Sequence, residues 1–228
     1  MNSPIILALD TTDLGEACTW ISATNASINT YKAGLEFFLT HGADGVKKLR
    51  EAGDFDLFLD LKLHDIPNTV AAAVRTVAPI NPRFLTVHAS GGSEMISVAA
   101  SAAPSIDITA VTVLTSLSEE GLREVGFPQS ALETAKNMAH MSVKAGAKAI
   151  VSSPHEVAAI REVVGSAPTI ITPGVRPAGS ALGDQKRVMT PSDAIAAGAT
   201  YLVIGRPITS LKTSEAMLAM ANEILDSI

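Results

Sequence analysis

The sequence LFLDLKLHDIPNTV, residues 57–70, runs from a strand pattern directly into the beginning of a helix. Leucines alternate with an aromatic residue, Asp60 and Lys62, and because side chains along a strand have a period of two, the leucines share one face. Pro67 suits the first turn of a helix, and Asp65 suits the N-cap position before it. A strand followed at once by a helix is the repeating unit of an α/β fold, so this stretch predicts one such unit.

The same unit recurs along the whole chain. Short apolar or β-branched runs are each followed by a longer stretch of helical character. Alternation from end to end predicts a parallel sheet, and eight repeats are what a closed barrel requires. The 228 residues also fall within the ~200–250 that such barrels use, so we expect one α/β domain, a (β/α)8 TIM barrel over residues 1–228. The predicted strands are residues 5–9, 30–35, 57–63, 84–88, 108–114, 149–152, 169–171 and 201–204.

Two parts of this fold prediction stay open at the level of sequence. The number of strands cannot prove closure, so an open doubly wound sheet is the alternative, although no G-x-G-x-x-G follows the first strand. The longest stretch between strands predicts a loop at residues 121–128 and then a helix from about Ser130.

Composition excludes several classes of protein. The 17 basic and 23 acidic residues give a net charge of −6, and Lys and Arg form no stripe, so neither nucleic acid nor an anionic membrane is an expected partner. Cys18 is the single cysteine, which rules out an internal disulfide and suits a reducing compartment. The first residues do not resemble a signal peptide, and no apolar run approaches the ~18 residues of a membrane span. We therefore predict a cytoplasmic protein.

Polar side chains fall at the carboxyl ends of the predicted strands. In a β/α barrel this rim is where active sites are built. Each residue alone has an ordinary explanation, since loops are solvated, so the informative observation is that the whole set converges on one rim. The set comprises Asp10, Lys32, Asp60, Lys62, His88, Thr115, Ser152, Ser153, Arg176, Gly205 and Arg206.

The third strand adds two charges to the interior of the predicted barrel. If its leucines face the surrounding helices, Asp60 and Lys62 point inward, where ionised groups are costly to desolvate unless they pair or meet a ligand. A purely structural ion pair is one interpretation. Coupled charges at a catalytic rim are more often functional. We therefore predict an enzyme with Lys62, between Asp60 and Asp65, as its chemical centre.

Several motifs together resemble the orotidine 5'-phosphate decarboxylases of pyrimidine biosynthesis. The D-x-K-x-x-D pattern of residues 60–65 is shared with a wider suprafamily, whereas its continuation IPNT, residues 66–69, is characteristic of these decarboxylases. The resemblance extends over essentially the full length of the chain. Its other motifs are LALD at residues 7–10, KAG at 32–34, VTVLTS at 111–116, TPGVR at 172–176, GDQKR at 183–187 and VIGR at 203–206.

The resemblance implies a homodimer with shared active sites that converts orotidine 5'-phosphate to UMP and carbon dioxide, the last step of de novo pyrimidine biosynthesis. No cofactor and no metal are implied. Carried over residue by residue, the catalytic positions are Lys62 as proton donor, Asp60 beside the substrate carboxylate, Lys32, and Asp65 from the partner subunit.

The same resemblance implies a set of binding residues. Asp10 and Lys32 would bind the ribose hydroxyls, and Ile66 and Thr69 would reach the partner's site. Thr115, or Ser118 as a second candidate, would face the pyrimidine. The phosphate would be held by Gln185, Gly205 and Arg206, with Arg176 at the base of a closing loop over residues 176–187.

Two other functions remain as alternatives. A Mg²⁺-dependent keto-sugar phosphate decarboxylase or aldolase of the same suprafamily shares the D-x-K-x-x-D pattern, but a lysine between the acids argues against a cation there. A barrel that only binds a phosphorylated ligand would have no evident use for both Lys62 and Asp60.

Overall fold

A computed structural model describes residues 3–176 and 189–228. Eight parallel strands pair in chain order, and β8 pairs with β1, so the sheet is a closed barrel. Closure excludes the open doubly wound alternative and confirms the (β/α)8 prediction. The strands are β1 Ile5–Ala8, β2 Thr30–Gly34, β3 Asp56–Leu63, β4 Phe84–His88, β5 Asp107–Val111, β6 Ala149–Val151, β7 Thr169–Pro173 and β8 Tyr201–Ile204.

Helices cover the outside of this barrel. In the described ranges they are α1 Leu14–Thr24, α2 Leu35–Glu51, α3 Pro67–Val77, α4 Gly92–Ala102, α5 Glu119–Glu124, α6 Ala131–Lys144, α7 Val157–Val164, α8 Pro191–Ala196, α9 Arg206–Thr209 and α10 Ser214–Asp226. Three short 3₁₀ turns are Ala78–Ile80, Ala89–Gly91 and Pro154–Glu156. None of the helices in the described part of the chain is long and apolar enough to cross a membrane.

Two apolar clusters hold the barrel together. The larger one lies between the sheet and the helices and includes Leu57 and Leu59 of β3, both fully buried. The smaller one fills the barrel interior with Ile6, Phe58, Phe84, Ala149, Ile171 and Tyr201. Burying one such aromatic side chain contributes about 1.5–3 kcal/mol.

Aromatic rings close the amino-terminal end of the barrel. Phe84 lies edge-on to both Phe58 and Tyr201, with ring centroids 5.9 and 5.7 Å apart. The Arg83 guanidinium stacks over Phe84 and forms an ion pair with Asp56 at the beginning of β3. This layer forms a floor, so the space above it opens towards the carboxyl ends of the strands.

Most element predictions are confirmed, with three corrections. The fifth strand was predicted to reach residue 114, but β5 ends at Val111. The predicted loop at residues 121–128 is wrong in its first half, because α5 occupies it and the Ser118 hydroxyl caps this helix by accepting the Gly121 N–H at 3.1 Å. The third correction is that Asp65 is not the N-cap of α3. Ile66 holds that position, and the Asp65 carboxylate accepts the Ile66 N–H at 2.6 Å. The helix predicted from Ser130 is confirmed.

Candidate active site

A cavity of about 320 Å³ opens at the carboxyl ends of the strands; we call it the rim cavity. Its walls combine apolar side chains from the inner strands with charged and polar groups. The apolar part includes Phe58, Val111, Val113, Val151, Val203 and Pro207, and the polar part is Asp10, Lys32, Asp60, Lys62, Thr115, Ser152 and Arg176, with Gly205 and Arg206. The predicted convergence on one rim is therefore confirmed for the polar residues that line this cavity.

Four charged side chains form an alternating row across the rim cavity. Lys32 Nζ lies 3.0 Å from Asp10 Oδ1 and 3.6 Å from Asp60 Oδ2. Lys62 Nζ donates to the other carboxylate oxygen of Asp60 at 2.8 Å. Asp60 is therefore held between two ammonium groups, which fixes both its position and the direction of its oxygens.

Within this row, Asp60 and Lys32 are kept ionised. Burial would raise the pKa of the Asp60 carboxyl, but the charges of Lys32 and Lys62, with hydrogen bonds from Lys62 and Thr86, hold that pKa below its usual value. Burial would likewise lower the pKa of the Lys32 amine, and the attraction of Asp60 and Asp10 raises it instead. At neutral pH the rim cavity thus presents a fixed pattern of charges to a ligand.

The backbone of Lys62 departs from a regular strand. Its φ of 49° lies in the left-handed region, which costs a non-glycine residue about 1–3 kcal/mol. The pairing of β3 with β4 also shifts register between Leu59 and Leu63. Bulges re-aim side chains next to active sites, and here the bulge accompanies the entry of Lys62 into the rim cavity. The alternation of β3 was predicted correctly, but the bulge was not.

Some predicted site residues lie away from the rim cavity. Asp65 and Thr69 are exposed, Ile66 is 66% exposed, and these three do not line the cavity of their own chain. Among the described contacts, Lys62 has an ion pair with Asp60 but none with Asp65. Ser118 caps α5 and does not line the cavity. Gln185, with most of the predicted closing loop, lies outside the described residues.

Sequence reasoning missed Thr86. This residue is fully buried on β4, behind Asp60, and its hydroxyl contacts both Asp60 and the backbone of Lys62. A signal was present, since Phe84, Thr86 and His88 alternate along β4 as Phe58, Asp60 and Lys62 do along β3. A threonine two residues after Phe84 in a barrel interior needs a polar partner, and Asp60 on the adjacent strand is that partner.

Comparison with known proteins agrees with the architecture of this site. Residues 3–220 match the family model described as "Orotidine 5'-phosphate decarboxylase / HUMPS family". The chain belongs to this family. The match spans all eight strands and every residue that lines the rim cavity.

Similar members of the family carry one name. Orotidine 5'-phosphate decarboxylase from Thermobifida fusca is 53% identical over 209 residues, covering 92% of this chain and 90% of the relative. The protein of that name from Actinobacillus succinogenes is 43% identical and covers both chains completely. The crystal structure of orotidine 5'-phosphate decarboxylase from Lactobacillus acidophilus superposes with a TM-score of 0.85 at 33% identity, covering 99% of this chain and 100% of that one.

Proposed function

We propose that this family member decarboxylates orotidine 5'-phosphate to UMP and carbon dioxide in the rim cavity, with Lys62 as the proton donor. Its relatives at 42–53% identity are named for this carboxy-lyase activity. The observation that carries the proposal is the Lys62 ammonium, which lines the rim cavity with its nitrogen 2.8 Å from a buried carboxylate. Nothing in the comparisons favours the keto-sugar phosphate alternative.

Lys62 would act on the difficult step of this reaction, the formation of a carbanion. When the bond to the carboxylate breaks, its electron pair stays on C6 of the pyrimidine as an sp² carbanion that cannot spread into the ring. A fixed ammonium stabilises this charge as it forms, so it acts on the transition state more than on the ground state. The same ammonium then gives a proton to C6, and the amine regains one from solvent.

Asp60 would lie beside the departing carboxylate. Its lowered pKa keeps it negative at neutral pH, so it repels a second carboxylate in the bound substrate. That repulsion is relieved when neutral carbon dioxide forms. Lys32 and Thr86 hold Asp60 in place while this happens.

The remaining residues of the rim cavity suit the other parts of the substrate. Asp10 and Lys32, joined at 3.0 Å, offer an acceptor and a donor for the ribose hydroxyls. Thr115 would face the pyrimidine, and Ser118 stays the second candidate. Phosphate would bind to Arg176, Gln185, Gly205 and Arg206, at the usual phosphate position of a β/α barrel. Binding energy from this remote group can contribute to the rate.

We also propose a homodimer with shared sites. Leu35 and Leu39, four residues apart on α2, are 45% and 81% exposed, and Ile66 is exposed three residues after β3, the strand that pairs with β2. Large apolar side chains exposed on neighbouring elements fit an interaction surface. Asp65, Ile66 and Thr69 follow Lys62 on that rim yet do not line their own cavity, which supports a role in the partner's site. A cytoplasmic location is proposed from the single cysteine.

The function is tested by product formation. Purified protein, treated with a chelator and mixed with orotidine 5'-phosphate, should release UMP and carbon dioxide in equal amounts. Activity that returns only with added Mg²⁺ would contradict the metal-free mechanism. Tight binding without turnover would contradict the proposed enzyme and favour a phosphate-binding barrel.

A further inference from the structure

Thr86 lies opposite the bulge that carries the two central charges. In the pairing of β3 with β4, Leu59 is opposite Leu85 and Leu63 is opposite Val87. Asp60, Leu61 and Lys62 therefore share one opposing residue, Thr86. A regular ladder of backbone hydrogen bonds cannot be continuous across such a bulge, so the groups there need other partners.

The Thr86 hydroxyl supplies those partners. Lys62 donates its backbone N–H to Thr86 Oγ1 at 2.7 Å, and Thr86 Oγ1 lies 3.0 Å from Asp60 Oδ1. The direction of both bonds is fixed, because a backbone N–H can only donate and an ionised carboxylate can only accept. The hydroxyl has a single proton, and it goes to Asp60.

We infer that Thr86 is a positioning residue for the reaction proposed above. Its side chain connects the strained backbone of Lys62 to the carboxylate of Asp60, and that carboxylate in turn accepts from Lys62 Nζ at 2.8 Å. The result is a closed ring through both central charges. Thr86 itself is fully buried and does not line the rim cavity, so it acts through these two residues without touching substrate.

Several features separate this role from ordinary packing. A buried residue that only fills space would be replaceable by valine, which has nearly the same shape. The Thr86 hydroxyl instead forms one hydrogen bond with the proposed proton donor, Lys62, and one with the carboxylate of Asp60. Loss of the hydroxyl would leave the half-buried Lys62 N–H without this partner and remove one of the groups that lower the Asp60 pKa.

The test compares Thr86→Val with Thr86→Ser. Removing a hydrogen bond to a charged group should lower kcat by roughly 10-fold to 100-fold, with KM changed by less than about 3-fold, since substrate contacts remain. Thr86→Ser keeps the hydroxyl and should recover most of kcat. If Thr86→Val does not fold, the comparison uses Thr86→Ser and Thr86→Ala instead, because these two variants differ only in the hydroxyl.

Thr30→Val is the matched control. Thr30 is fully buried at the beginning of β2, and its hydroxyl has no hydrogen-bond partner among the described residues. Its replacement should leave kcat unchanged. Equal losses in Thr30→Val and Thr86→Val, an unchanged kcat in Thr86→Val, or no recovery in Thr86→Ser would overturn the inference.

A readout without substrate separates this inference from the proposed function, on which it rests. Carbon-13 NMR of the Asp60 carboxyl should show its titration at higher pH in Thr86→Val than in the unmodified protein, and at nearly the unmodified position in Thr86→Ser. An unmodified protein that lacks decarboxylase activity but shows this pattern would refute the reaction and keep the positioning role. If Asp60 titrates at the same pH in Thr86→Val and in the unmodified protein, the positioning role is refuted.

Discussion

Lys62 is the single residue whose replacement should affect catalysis most. Lys62→Ala removes both the cation that stabilises the carbanion and the proton donor, so we expect kcat to fall by several orders of magnitude, since each ~1.4 kcal/mol is tenfold in rate. Steady-state assays with orotidine 5'-phosphate measure this. Lys47→Ala is the control, because Lys47 is an exposed lysine paired with Asp44 on α2. A near-normal rate in Lys62→Ala would refute the mechanism.

Asp60 should give the fold a component of stability that depends on acid pH. Its pKa is below the usual value in the folded protein, so its contribution is fully present above the ordinary pKa of ~3.9 and is lost as the pH falls through the lower folded value. Urea unfolding from about pH 7 to about pH 3 measures the free energy of unfolding. Asp60→Asn should lack this acid component; an identical pH profile in both proteins would contradict the prediction.

At the scale of elements, the end of β2 is built to leave space for the charged row. A Cβ added at Gly34 would lie 3.2 Å from Lys32 Nζ and 3.7 Å from Asp10 Oδ1. Gly34→Ala should push the Lys32 amine away from the added Cβ, disturb its contacts with Asp10 and Asp60, and lower kcat/KM by about tenfold, equivalent to ~1.4 kcal/mol. Gly121→Ala in α5 is the control, since its added Cβ meets ordinary contacts of 3.6 Å. Equal kinetics in the two variants would contradict this account.

The elements also show which features the sequence could predict. The leucine alternation of β3 predicted which side chains enter the barrel, because a period of two depends on one strand alone. The bulge at Lys62 depends on the pairing of β3 with β4, and no local pattern in residues 57–63 marks it. The same limit explains Thr86, whose role appears only when the two strands are aligned. The α5 helix was missed because Gly121 suggested a loop.

At the scale of the whole molecule, the proposed dimer can be tested by mixing variants. Chains with Asp65→Ala and chains with Lys62→Ala should each be nearly inactive. In a mixed dimer, one of the two sites combines an intact Lys62 with an intact Asp65 from the partner. Random mixing should therefore restore about one quarter of the unmodified activity, because half of the dimers are mixed and each has one complete site. No recovery, with mixed dimers verified by mass, would contradict shared sites.

The aromatic floor of the barrel has a consequence for turnover. Phe58 belongs both to that floor and to the wall of the rim cavity, and the rings of Phe84 and Tyr201 lie beneath it. In the described part of the barrel, these rings pack together below Phe58, so a gas molecule released above it would leave through the open rim. Carbon dioxide and the nucleotide would therefore leave through the same opening. A nucleotide that is released slowly would delay the escape of the gas and make its rebinding more frequent.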